Sequence, residues 1–141
     1  MLSIEHVVSN KGNGNIELEI ISHEVGEEIT ELELIRHRVQ RIWQFETTPK
    51  IESLCLRWNL IKKIDNFQCL EALKILNLND NQIEKIENLE TLTNLEFVDL
   101  SYNRIAKIEG LEGLKKLKEL HLVHNKITVI EGIEDVSEVG F

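Results

Sequence analysis

The sequence predicts an α/β solenoid, a right-handed superhelix with a parallel concave sheet and short 3₁₀ or α-helical turns on its convex side. Two observations lead there. First, the string L-x-L-x-x-N-x-I-x-x-I returns five times at a constant step of twenty-two residues. Its anchors are Leu32, Leu54, Leu76, Val98 and Leu120, then Leu34, Leu56, Leu78, Leu100 and Leu122, then Val39, Ile61, Ile83, Ile105 and Ile127, and last Ile42, Ile64, Ile86, Ile108 and Ile130. Second, the apolar spacing changes from two to three inside each repeat, so each repeat has two unlike halves. A repeat of this length is one supersecondary unit that buries its apolar face only against the next copy.

Each element follows from its own spacing. Residues 1–29 stand outside the repeat as an irregular segment or cap. In it, Asn10-Lys11-Gly12 and Gly14-Asn15 read as a turn or loop, and Ile16-Glu17-Leu18-Glu19-Ile20 alternates as a strand with one wet face. That strand either pairs with the first repeat or is loose. Residues 30–139 hold the five repeats, and Ile29 already keeps the register by standing twenty-two residues before Ile51. In Leu73-Lys74-Ile75-Leu76-Asn77-Leu78 a strand puts residues 76 and 78 on one face and 75, 77 and 79 on the other. The second halves space their apolar residues by three: Phe67, Leu70, Leu73; Leu89, Leu92, Leu95; Leu111, Leu114, Leu117; Ile133, Val136, Val139. That spacing suits short turns on the outer side.

Asn59, Asn81, Asn103 and Asn125 recur at the bend after each strand, with His37 in the first repeat. Where the chain leaves the sheet its backbone groups lose ladder partners, and a buried amide offers both a donor and an acceptor in their place. We therefore expect a structural ladder there. Lys63, Lys85 and Lys107 interleave with Asp65, Glu87, Glu109 and Glu131, columns of opposite charge whose exposure keeps their value small.

The composition narrows the function. Sixteen basic against twenty-five acidic residues give a net charge of −9, which opposes nucleic-acid binding and suits basic or amphipathic protein partners. The first residues lack the charged, apolar and small succession of a secretory leader, and no apolar run reaches spanning length. Cysteine usage is low, with Cys55 and Cys69 alone. The expectation is no membrane and a cytoplasmic or nuclear location.

Catalytic chemistry finds little footing. His121 and His124 lie near Glu119 without a third ligand at metal-binding spacing, so neither a metal nor any other cofactor is expected. The cysteines have no neighbouring base to activate them, and Gly12-Asn13-Gly14 lacks the G-K-[ST] of a phosphate loop. Trp58 and Tyr102, in the turns at the edge of the concave face, read equally as binding anchors or as packing over the adjacent turn.

The run Leu54-Cys55-Leu56-Arg57-Trp58-Asn59-Leu60-Ile61-Lys62-Lys63-Ile64, with Asn81-Gln82-Ile83-Glu84-Lys85-Ile86-Glu87-Asn88-Leu89, resembles the twenty-two-residue class of leucine-rich repeat typified by the protein phosphatase 1 regulatory subunit 7 family. The resemblance implies a non-enzymatic regulatory subunit whose concave face grips the catalytic subunit of that serine/threonine phosphatase. It places contacts on the middle strand residue, here Glu33, Cys55, Asn77, Asp99 and His121, flanked by Ser53, Arg57, Ile75, Asn79, Phe97, Ser101, Glu119 and Val123. Arg57, Trp58, Asn77, Phe97, Asp99, Tyr102, Glu119 and His121 are the candidate partner-binding residues. Asp99 matches an acidic contact of the family, whereas His121 stands where an aromatic is usual. No [KR]-x-V-x-F docking string occurs. The register is shared by ciliary, dynein-associated and tubulin-cofactor relatives, so a cytoskeletal or ciliary adaptor is the alternative, as is a shortened remnant with weak or no binding.

The family carries about twice as many repeats and then a cap, so residues 140–141 are expected to be a truncated end. Val139 continues the register of Leu117, which puts the next strand anchor beyond the chain. Leu120, Leu122, Ile127, Ile130 and Ile133 are then expected to be partly uncovered, and the chain to self-associate through that edge.

Overall fold

Alternation along each L-x-L segment puts its two leucines into the interior and its middle residue on the outer surface of the sheet. The computed structural model describes residues 8–10, 16–19, 29–43 and 50–141. Strand β1 (Val8–Asn10) pairs antiparallel with β2 (Ile16–Glu19). A principal sheet begins at β3 (Glu31–Glu33), and β4 (Val39–Trp43) follows in the second half of the same coil. β2 runs parallel to β4, with Leu18 opposite Ile42. The alternating segment before the repeats is thus a strand, joined to the first coil through that coil's second half and not through the principal sheet. The Gly12-Asn13-Gly14 loop lies outside the described residues.

The principal sheet continues through β5 (Ser53–Cys55), β6 (Ile75–Asn77), β7 (Phe97–Asp99), β8 (Glu119–His121) and β9 (Glu138–Gly140), all parallel and in sequence order after β3. Leu32, Leu54, Leu76, Val98 and Leu120 face one another across successive strands, as the period requires. Leu54, Leu56, Leu76, Leu78, Val98 and Leu100 have no exposed surface. Behind them Ile61, Ile83 and Ile105, then Ile64, Ile86 and Ile108, complete one aliphatic interior.

The outer side confirms the spacing of three in a particular form. Leu70 N–H donates to Phe67 O and Leu73 N–H to Leu70 O, and the pattern repeats at Leu89, Leu92 and Leu95 and at Leu111, Leu114 and Leu117. These are successive single turns, each closed by the 3₁₀ type of bond. They do not merge into a helix among the described residues.

The asparagine ladder is present. Asn81 Oδ1 accepts Ile61 N–H at 3.0 Å while its Nδ2 donates to Leu56 O and Leu78 O. Asn103 repeats this with Ile83 N–H, Leu78 O and Leu100 O. Each amide therefore ties its own coil to the one before it. Of the charged columns on the outer bend, Lys63 lies 3.6 Å from Asp65 with both side chains well exposed.

The last coil corrects the expected register. Val139 pairs with Leu120, and Gly140 with His121, so Val139 is a strand anchor and not the continuation of Leu117. The step there is nineteen residues, because one three-residue turn is missing: Val136 N–H closes on Ile133 O, and the chain enters β9 directly. Leu122 N–H donates to Gly140 O at 2.6 Å. Leu120 and Leu122 are consequently buried, against expectation, while Ile127 and Ile133 are half-buried and Ile130 is 63% exposed. The apolar surface at this end is made by Val129, Ile130 and Phe141.

Candidate protein-binding face

The middle strand residues Glu33, Cys55, Asn77, Asp99 and His121 form one column on the sheet surface, and Glu31, Ser53, Ile75, Phe97 and Glu119 form the next. Strands lie about 4.8 Å apart, so side chains one coil apart touch. The His121 ring stands edge-on to Phe97, with centroids 5.2 Å apart and planes at 71°. His121 Nε2 lies 3.9 Å from a Glu119 carboxylate oxygen. Ile75, on the adjoining strand, is 45% exposed. Five predicted residues, Asn77, Phe97, Asp99, Glu119 and His121, thus gather over β6, β7 and β8, where Ile75 stands opposite Phe97 as the other half of an apolar pair.

Asp99 is held in place from within. Its Oδ1 accepts Ser101 N–H at 2.9 Å and its Oδ2 accepts Asn79 Nδ2 at 3.3 Å. Asn77 Oδ1 makes the equivalent bond to Asn79 N–H. A side chain that bonds the backbone two residues on has lost its rotamer freedom before any partner arrives, which lowers the entropic cost of binding. Cys55, in the same column, has its thiol pushed above the usual range, chiefly by burial, with the charges of Glu33 and Asp99 adding to it and Arg57 opposing. An unactivated thiol is the result.

Arg57, Trp58 and Tyr102 sit apart from this group, at the rim where the chain leaves the sheet. Arg36, Trp58, Asp80, Tyr102 and His124 occupy equivalent positions with left-handed backbones, φ from 54° to 63°. The N–H of each of the first four donates to a carbonyl of the next coil: Arg36 to Arg57, Trp58 to Asn79, Asp80 to Ser101 and Tyr102 to Val123. Those bonds hold a conformation that costs a non-glycine residue about 1–2 kcal/mol. Sequence reasoning picked out Trp58 and Tyr102 but missed the left-handed backbone of their column, because that backbone is signalled most strongly by glycine and asparagine, and neither stands there. It also missed Arg36, whose guanidinium carbon lies 4.1 Å from the Trp58 ring centroid. The signal was the period itself, since Arg36 and Trp58 are one step apart. His124 lies against Tyr102, centroids 4.5 Å apart, so it does not join His121. Among the described residues no group of three or more His, Cys, Asp and Glu side chains could hold a metal ion.

A sheet surface of mixed apolar and charged side chains, pre-set by hydrogen bonds and stacked on a rigid interior, defines a recognition scaffold. The chain belongs to the leucine-rich repeat family, whose two-copy repeat model matches residues 49–91 and 93–136. The family typically serves as a non-catalytic protein-interaction scaffold. Among solved structures it is similar to an internalin (inlF) from Listeria monocytogenes str. 4b F2365, 26% identical with a TM-score of 0.72, over 80% of this chain and 34% of that one. A chain of the TLR13–ssRNA13 complex is 36% identical with a TM-score of 0.55, over 67% of this chain and 13% of that one. An internalin C2 (inlC2) from the same Listeria strain, at 19% identity and a TM-score of 0.60 over 90% of this chain and 76% of that one, shares the fold. The chain thus spans about a third of the first of these and a smaller part of the second. A comparison with curated proteins returned no match.

Proposed function

We propose that the chain binds a protein through the surface of β6, β7 and β8, and that this partner is the catalytic subunit of serine/threonine protein phosphatase 1. The observation that carries the binding role is the apolar pair Ile75 and Phe97, flanked by Asp99, Glu119 and His121 on a pre-set sheet. A partner seats an apolar side chain on the pair and a basic one against the carboxylates, the arrangement of an interface centre with a polar rim. The choice of phosphatase rests on the repeat resemblance and on Asp99 occupying its acidic contact position. A cytoplasmic or nuclear setting belongs to the same proposal and rests on two free cysteines, Cys55 and Cys69. The single-stranded RNA named with TLR13 is a poor match for a chain of net charge −9, whose face carries Glu31, Glu33, Asp99 and Glu119.

Capture of the purified phosphatase catalytic subunit on immobilised chain tests the proposal. Wild type should retain it, and Asp99→Ala and Phe97→Ala should each weaken retention at least tenfold while leaving the far-ultraviolet spectrum unchanged. No retention by the wild type at low salt would remove the phosphatase and favour an adaptor with another partner.

A further inference from the structure

Two arginines stand together at the rim, against one ring. Arg36 and Arg57 place their guanidinium carbons 4.1 Å and 4.5 Å from the Trp58 ring centroid. Among the described residues no carboxylate lies within ion-pair distance of either. Arg57 Nε is shut off from solvent and has no hydrogen-bond partner among the described residues. A buried donor left unpaired is a cost carried by the free protein, and an acceptor relieves it once the side chain turns on the ring to meet it.

The rest of the arrangement favours one kind of acceptor. Trp58 is 37% exposed and is fixed by its left-handed backbone and by its N–H bond to Asn79 O. Cation–π contact holds both guanidinium groups against the ring without neutralising them. The planar fork of a guanidinium matches a carboxylate in two parallel bonds. A phosphate would also fit the fork, but Glu33 is near enough for its charge to act on Cys55 alongside that of Arg57, and a double negative charge meets more of that repulsion than a single one. The net charge of −9 does not forbid the contact, because charges beyond about 8–10 Å are largely screened at physiological salt.

We infer that Arg36, Trp58 and Arg57 form a clamp for a carboxylate side chain on an extended segment of a protein partner. The inference rests on reading the sheet surface as protein-binding, because Arg57 shares a column with Asn79 and Ser101 beside that surface. It also gives the partner a direction: its acidic residue lies over the first two coils, its apolar residue over β6 and β7, and its basic residue over β7 and β8.

The test is nuclear magnetic resonance titration of the full chain with the peptide acetyl-Gly-Glu-Gly-Glu-Gly-amide. The matched glutamine peptide and a phosphoserine peptide serve as separate arms. The glutamate peptide should shift the Trp58 indole N–H and the Arg36 and Arg57 Nε–H signals to saturation, and the glutamine peptide should not. Arg57→Gln should weaken the glutamate peptide by about tenfold, Arg36→Gln similarly, and Arg57→Lys less, since it keeps the charge but not the fork. The clamp is refuted if no peptide shifts these signals, if glutamine and glutamate peptides act alike, or if only the phosphoserine peptide binds. Unchanged glutamate binding in a folded Arg57→Gln and Arg36→Gln pair refutes it equally. No phosphatase enters this experiment, so its failure is distinct from failure of the phosphatase capture.

Discussion

Asn103→Ala is the substitution whose cost the structure sets most directly. The alanine removes the acceptor of Ile83 N–H, a 2.9 Å bond in a buried setting, and an orphaned buried donor costs about 1–3 kcal/mol. It also removes three donor bonds, to Leu78 O and Leu100 O at 3.0 Å and to Ser101 O at 3.2 Å. Leu78 O keeps Asn81 Nδ2 at 3.1 Å, Leu100 O keeps Asn125 Nδ2 at 2.9 Å and Ser101 O keeps Asp80 N–H at 3.0 Å, so each lost bond adds only about 0.5 kcal/mol, the low end of its net worth. The sum is about 3 kcal/mol, a large part of the stability of a domain. Asn125→Ala breaks the equivalent bonds to Ile105 N–H and Leu100 O, but Asn125 is half-buried and water replaces much of what it supplied. Its cost should be about 1 kcal/mol. Urea unfolding followed by circular dichroism reads the difference as a shift in midpoint at unchanged slope. Equal losses from the two substitutions would refute the argument that burial of the ladder, and not the amide alone, sets its worth.

Three further outcomes follow from single contacts. Gly110 has a φ of 72°, and a Cβ there would lie 2.7 Å from Ile86 O, whereas Gly132, at φ 70°, would meet nothing within 4 Å; thermal melts should show Gly110→Ala costing at least 1 kcal/mol more than Gly132→Ala. Iodoacetamide at mildly alkaline pH should modify exposed Cys69 before Cys55, whose thiol is held protonated chiefly by burial, and Asp99→Asn should quicken Cys55 by removing one opposing negative charge. The Lys118 hydrogen bond at 2.6 Å, followed by its charge, holds Glu96 below the usual carboxylate range. Its contribution to stability is therefore present above the unfolded value and lost as pH falls through the lowered folded one. Lys118→Met should move the Glu96 carboxyl titration up toward the ordinary range, with Lys74 and Lys116 still holding it down in part, read by carbon-13 resonance.

Much of this was legible because one period governs it. Leu54, Leu76 and Val98 could be placed on adjacent parallel strands from spacing alone, and the asparagine amides could be assigned to the bends because only they offer donor and acceptor together. The gathering of Phe97, Asp99, Glu119 and His121 followed from the same step. Val139 misled because two registers compete for it. Twenty-two residues separate it from Leu117, but Val136 stands three residues before it as Leu117 stands before Leu120, and Val139-Gly140-Phe141 can serve as an anchor pair. Sheet pairing decides for the shorter step, since it covers Leu120 and Leu122. The left-handed rim escaped for another reason: Arg36, Trp58 and Tyr102 carry no local preference for that backbone, and the bond to the following coil imposes it.

The shortened final coil shows where this architecture tolerates change in length. Each outer turn closes on itself after three residues and hands the chain on in the same direction, so removing one leaves the next strand in phase with its predecessor. Coil length is accordingly quantised: a loss or gain of three residues between Phe67 and Leu73, or at the matching places in other coils, should preserve strand pairing, whereas a change of one would turn the interior leucines outward and a change of two would leave an outer turn unclosed. Indels in threes on that flank offer a route to altering curvature without rebuilding the binding surface.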